Sequence, residues 1–195
     1  MNMLHICRTS VFLSFLTIFL SCSTDSLNFN IQDIQLDKTT VSVDLVGNKA
    51  NFDAVNIEVL DVQVKVIDDE TIPDCWLSLN ANSKGVYNLL DLTENSTAQL
   101  VSGLKIPAGE IYEIKLVLGS NNTIVINGET LPLVMNSEHA KGLVVRTIKT
   151  LEPGMDYSFS LNFDVKQSIL ETYIDNRVIL RPVLNTSIEA KSNNL

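Results

Sequence analysis

Met155-Asp156-Tyr157-Ser158-Phe159-Ser160-Leu161-Asn162-Phe163 decides the fold. Met155, Tyr157, Phe159, Leu161 and Phe163 alternate with Asp156, Ser158, Ser160 and Asn162 without a break. A period of two puts every large apolar side chain on one face of an extended chain and every polar one on the other. Wound as a helix, the same residues would scatter their aromatics around the whole circumference. The segment is therefore a strand with one buried face.

Asp53 to Ile67 reads the same way, but its alternation changes phase. Val55, Ile57 and Val59 hold odd positions, whereas Val62, Val64 and Val66 hold even ones. A flat strand would turn one of these sets to water. One extra residue around Leu60–Asp61 restores a common face, so a β-bulge or sharp bend is expected there.

Other strands are read at Val41–Leu45, Trp76–Leu79, Val86–Leu90, Ile111–Leu118, Thr123–Ile126, Glu129–Val134, Leu143–Ile148 and Val178–Leu184. Asn127-Gly128 joins two of them as a two-residue hairpin turn, and Pro107-Ala108-Gly109 is a turn of its own. Pro182 suits a sheet edge or a strand end. One helical turn is expected near 164–172, with Asp164 capping and Gln167 three residues on. No helical pattern alternates with the strands, which argues against a parallel α/β sheet. The expected fold is an all-β antiparallel sandwich of eight to ten short strands, spanning residues 39–190 as one domain.

Ahead of that domain, Arg8 and the terminal amine precede a ten-residue apolar run, Val11–Leu20, followed by Ser21 and Cys22. Ten helical residues rise only about 15 Å, roughly half the hydrocarbon thickness, so the run is too short to span a bilayer. Charge, short apolar core and small residue form the layout of a secretory signal. Phe19-Leu20-Ser21-Cys22 resembles a bacterial lipobox, in which the cysteine is acylated and becomes the first mature residue. Residues 1–21 are then the signal peptide, and 22–38 the lipidated cysteine with its tether. Residues 191–195 form a polar tail. The resemblance implies a lipid-anchored protein of the cell envelope, with the outer membrane expected and its periplasmic or surface face open. Asp25-Ser26-Leu27 resembles the O-glycan acceptor motif of Bacteroidetes, which would place a sugar on Ser26; a plain linker accounts for the same residues.

Without its first 21 residues the chain has 174, with 13 basic and 23 acidic side chains, a net charge of −10. Such a balance repels phosphate backbones and excludes nucleic acid as an expected partner. Cys75 is the one thiol left once Cys22 is acylated, so neither an internal disulfide nor a paired-cysteine zinc site can form. Its neighbour Trp76 points to a packed position for it.

Four further pieces come in a telling order: FDAVNIEVLDVQV at Phe52–Val64, Trp76 followed by GVYNLLDLT at Gly85–Thr93, LKIPAGEIYEIKLVL at Leu104–Leu118, and LNFDVKQSIL at Leu161–Leu170 with VILRPVL after it. In this order they resemble the bacterial family called domain of unknown function 4382. The likeness runs over most of Thr39–Ile188. Two departures stand out. Gly47-Asn48-Lys49-Ala50 lacks the proline usual before the long strand, and a Pro-Ser-Gly segment is replaced around Met135–His139. The resemblance implies a sandwich of immunoglobulin-like or transthyretin-like build and no catalytic activity.

Candidate chemistry is sparse. His139 is the one histidine past the signal, and no H-E-x-x-H, G-x-S-x-G, G-x-G-x-x-G or P-loop is present. Asp68, Asp69, Glu70 and Asp74 gather carboxylates that could serve calcium, yet they lack the spacing of a calcium loop and read as a solvated acidic turn. No cofactor is expected. Asp164 with Ser168 could pass for a ligand pair, but a helix cap explains both. Tyr112, Tyr157, Phe159 and Phe163 are assigned to the core, and so is Trp76. The expected function is a non-catalytic, lipid-anchored module that meets a protein partner in the envelope. Glycan binding is the alternative, and a hydrolase using carboxylates the outsider.

Overall fold

A computed structural model describes residues 37–69, 71–72, 75–135, 142–174 and 177–192. In chain order the strands are β1 (Lys38–Val46), β2 (Ala54–Lys65), β3 (Trp76–Ser78), β4 (Gly85–Asn88), β5 (Ala98–Pro107), β6 (Gly109–Leu118), β7 (Thr123–Ile126), β8 (Glu129–Met135), β9 (Leu143–Leu151) and β10 (Met155–Phe163). A single helical turn, α1 (Val165–Ser168), leads into β11 (Ile169–Ile174), β12 (Arg177–Leu180) and β13 (Leu184–Ser192). The fold is all-β.

Two sheets share one core. The smaller has the order β13-β10-β1-β5. The larger runs β11-β12-β8-β7-β2-β6-β9, with β3 and β4 also paired to β2. Tyr157, Phe159, Leu161 and Phe163 are 0–3 % exposed, as their alternation requires, and pack into the same cluster as Val41, Val43 and Leu45. From the other sheet Val55, Ile57, Val59, Val62, Val64, Ile114 and Leu116 close over them. Burial of each such side chain stabilises the fold by about 1.5–3 kcal/mol relative to exposure.

Pairing is mixed rather than wholly antiparallel. β1 lies parallel to β10, with Val43 opposite Phe159, and β12 lies parallel to β8. Side chains alternate identically in both kinds of strand, so sequence periodicity cannot tell one pairing from the other.

The bulge in β2 is where the phase change demands it. Val59 opposes Leu118 on β6, and Asp61 opposes Val117, leaving Leu60 unpaired and 42 % exposed. Both valine sets consequently face the core, except Val66, which lies past the strand end and is exposed. β6 has a slip of its own: Ile111 is buried, then Ile114, Leu116 and Leu118. The register against β9 shifts between Ile111 and Glu113. Tyr112 therefore leaves the core position assigned to it and is half-exposed, its hydroxyl donating to Glu110 Oε2 at 3.1 Å.

At Asn127-Gly128 the hairpin between β7 and β8 has φ of 51° and 79°, the left-handed pair that this turn needs. Pro107-Ala108-Gly109 is sharper than an ordinary turn. It carries the chain from β5 in the small sheet directly into β6 in the large one, with Gly109 at φ 143°. The expected helix shrinks to α1, because from Ile169 the chain pairs with β12 instead.

Candidate functional site

β2 has β3 on one flank and β6 on the other at its C-terminal end. Val64 opposes Leu77 and Ile114 on the core side; Gln63 opposes Ser78 and Lys115, and Lys65 opposes Trp76 and Glu113, on the outer side. Trp76 therefore belongs to the outer face. It is half-buried there and not a member of the core, a correction to its sequence assignment. Parity explains the change: Val62, Val64, Leu77 and Leu79 already fill the inner side, so Trp76 must point out.

The tryptophan has a charged companion. Lys115 Nζ sits 3.5 Å from the ring centroid, a cation–π contact, and donates to Gln63 Oε1 at 3.4 Å. Burial pushes the Lys115 ammonium below the usual lysine range. Asp61 Oδ2 accepts from Gln63 Nε2 at 3.3 Å and from Ser78 Oγ at 2.8 Å, which fixes the polar side of the cluster. On the next strand Val144 opposes Lys115 and Arg146 opposes Glu113. Val144 is 50 % exposed and Ile148, further along the same face, 56 %. Trp76, Lys115, Val144, Arg146 and Ile148 make a half-apolar surface whose two cations stand beside one acid, Glu113.

Beside Trp76 opens a cleft of about 430 Å³, lined by Val66, Leu77 and the run Ile106–Ile111. Among the described residues Glu110 is its one charged lining residue. A second cleft of about 490 Å³ lies by Gly119-Ser120 and Pro132–Met135. The loop at that site is locked by a carboxylate that sequence reading passed over. Glu58 accepts from the Asn121 backbone N–H at 3.0 Å and from Asn121 Nδ2 at 2.7 Å, while its own N–H donates to the buried Asn122 Oδ1 at 2.9 Å. The Asn121 backbone bond is the main reason the Glu58 carboxyl lies below its ordinary range. An Asn-Asn pair after Gly-Ser was the available signal, since short amide side chains bond to nearby backbone in tight loops.

The acidic segment is only partly in view. Lys65 Nζ stands 3.3 Å from Asp68 Oδ1, and Asp69 Oδ1 accepts from the Thr71 N–H and hydroxyl, which holds Asp69 low. Glu70 and Asp74 lie outside the described residues, as do Cys22, Ser26 and His139. Asp68 and Asp69 thus spend oxygens on internal bonds, and no group of three His, Cys, Asp or Glu gathers among the described residues. Cys75 is buried at 8 % exposure.

Asp164 and Ser168 form a cap. Asp164 Oδ1 accepts from the Gln167 N–H and from Asn48 Nδ2, both at 3.1 Å, and Oδ2 accepts from Gln167 Nε2 at 2.8 Å. Asn48 answers by accepting from the Val165 N–H at 2.9 Å. The Asn48 bond, then that from the Gln167 backbone, keeps the Asp164 carboxyl below its usual range. Ser168 Oγ donates to the Asp164 carbonyl and accepts from the Val183 N–H at 2.8 Å. The side-chain oxygens of the pair are engaged in closing α1 and in tying it to the segments that follow β1 and β12.

No curated protein and no solved structure matches the chain. A family comparison does match, over residues 38–182, from the start of β1 to just past β12. Its extent takes in every strand but β13, with the β2 bulge, the Trp76 cleft and the Asp164 cap, so the chain belongs to the family described as Domain of unknown function (DUF4382).

Proposed function

We propose that this chain is a non-catalytic, lipid-anchored module of the cell envelope, held to the outer membrane by acyl chains on Cys22, and that the outer face of its large sheet engages a protein partner. One observation carries the reading: Trp76, Val144 and Ile148 are presented outward on paired strands whose inner faces are already full. Aromatic residues and arginine are favoured at the centres of interfaces, and Arg146 and Lys115 add a cationic element to an otherwise acidic protein. A partner with an apolar-centred surface and mixed charge at its rim, acids toward Lys115 and Arg146 and a base toward Glu113, fits such a patch.

A photo-crosslinking residue at Ile148 of the native lipoprotein tests this against one at Ser187 on the small sheet. The expected result is one defined envelope protein crosslinked from position 148 and lost in V144D. Equal, diffuse labelling from both positions would overturn the assignment of this face.

Glycan binding gains one argument from the outward Trp76, since sugars stack on exposed aromatic faces. Against it, Lys115 already lies over the ring. A specific hit in a glycan array, abolished by W76A, would reverse the order of the two readings.

A further inference from the structure

We infer that two copies of this chain pair edge to edge through β9, joining their large sheets into one continuous sheet about a two-fold axis. β9 ends the large sheet: β6 bonds to it on one side, and among the described residues no strand bonds to it on the other. An open edge of this kind is a template for another strand. The other long edges offer less. β5 slips twice against β1, carries Gly103 at φ 56° and ends in Pro107. β13 turns only Asn185, Ser187, Glu189 and Lys191 to the outer side. β9 alternates from end to end, with Val144, Arg146, Ile148 and Thr150 exposed and the residues between them buried or half-buried. The register shift against β6 does not interrupt that alternation.

A second copy is chosen as the occupant by the order of residues along this edge. Opposed residues in an antiparallel pair point to the same side of the sheet. A strand that meets its own copy about a two-fold axis normal to the sheet must therefore set one residue opposite itself. Thr147 is the midpoint of Leu143–Leu151, and that centre alone keeps all nine residues paired. It sets Arg146 opposite Ile148 of the other copy, Val145 opposite Lys149, Val144 opposite Thr150, and Thr147 opposite its own equivalent. Threonine against threonine is a favourable cross-strand pair, whereas like charges directly opposite are destabilising. Both cations of β9 thus meet aliphatic side chains, along which their long stems can lie while the charged ends stay in water. Val144 and Ile148, 50 % and 56 % exposed, are the large apolar side chains that the pairing removes from water. A centre at Arg146 would set two guanidinium groups face to face. The axis also closes the assembly, because it covers the same edge in both copies and leaves neither β9 open to a third.

This inference goes beyond the outer-face reading and does not rest on it. The pairing uses the edge of β9, and the Trp76–Lys115 side of the face stays open to another protein. A crosslink from position 148 to a second copy reports the pairing; one to a different chain reports the outer-face partner. The experiment measures resonance energy transfer between two preparations of the native lipoprotein, mixed in excess non-ionic detergent. Each carries S187C, on the exposed side of the small sheet, labelled with donor in one and acceptor in the other. The expected result is transfer that rises with concentration to a plateau. I148R brings a second cation opposite Arg146 in both halves of the interface and should raise the half-saturating concentration about tenfold. I148E brings a carboxylate there instead and should lower it about threefold. Position 148 is 56 % exposed, so both variants keep the fold. Weakening by both variants would place the contact in another register or on another surface and overturn the inference. So would indifference to both, as association through the acyl chains would give, or no transfer at any concentration.

Discussion

Deleting Leu60 is the sharpest test of the physical account of this fold. That residue is the extra one in the β2 ladder, unpaired between the Val59–Leu118 and Asp61–Val117 pairs. Without it the ladder becomes regular: Val59 still opposes Leu118, Asp61 takes the next place opposite Val117, and Val62 and Val64, 0 % and 1 % exposed, keep their inward positions opposite Leu116 and Ile114. The deletion forfeits a side chain that is 42 % exposed and the local bend, and should cost about 1–2 kcal/mol. Deleting Asn56, upstream of the bulge, is the contrast. It reverses Val55, 0 % exposed, against the rest of the strand, which costs about 1.5–3 kcal/mol, and it slips the pairing to β7 as well. Against a typical stability of about 5–15 kcal/mol, that loss is a large share of what holds the domain together. Urea denaturation followed by circular dichroism measures both. If deleting Leu60 proves as damaging as deleting Asn56, the claim that Leu60 is the one inserted residue behind the phase change is wrong.

Smaller perturbations probe other joints. Replacing Asp164 with alanine removes a helix cap and should lower stability by about 1 kcal/mol at neutral pH. Because the folded carboxyl lies below its unfolded value, its contribution is present above about pH 4 and fades as pH falls through the folded pKa; acid melts of parent and D164A should therefore converge. At Gly47 an added Cβ would stand 2.0 Å from the Leu89 carbonyl oxygen, so G47A should destabilise by about 1–3 kcal/mol in the same urea assay. The Cys75 thiol should react slowly with a thiol reagent in native buffer and quickly in urea; fast native labelling would contradict its burial. Calcium at millimolar concentration should leave the melting temperature unchanged, and a rise would return Asp68, Asp69, Glu70 and Asp74 to the list of cation ligands.

What could be read from the chain beforehand followed a physical dividing line. Side-chain parity is local, so β10, the β2 bulge and the Asn127-Gly128 turn were all legible. Strand partners are not local, and the parallel contacts of β1 with β10 and of β8 with β12 left no mark on the periodicity. Two strands escaped for a different reason. β13 is an edge strand whose residues are half-buried at most, which erases the contrast between its faces. β5 buries Leu100 and Val101 in succession where its register against β1 slips, so no clean alternation survives. Trp76 misled through size. A large aromatic in an all-β chain suggests the core, but only three strand residues separate the neighbouring loops, and Leu77 took the inward position. The Asp164 cap was readable because all its parts fall within five residues, whereas the Asn48 contribution comes from far away in sequence.

The corner at Pro107-Ala108-Gly109 ties fold and proposed function together. β5 and β10 flank β1 in the small sheet, while their continuations β6 and β9 pair directly, Gly109 opposite Leu151. One residue, Ala108, joins β5 to β6, and Glu152–Gly154 join β9 to β10, so two short connections fix the large sheet against the small one at this end. The outer face that carries Val144 and Ile148 is thereby held on a frame whose inner side is packed. A partner that engages this face therefore has no sheet to reorder, and the two readouts separate: V144D should abolish crosslinking from position 148 while leaving the urea midpoint within about 0.5 kcal/mol of the parent, because the side chain is 50 % exposed.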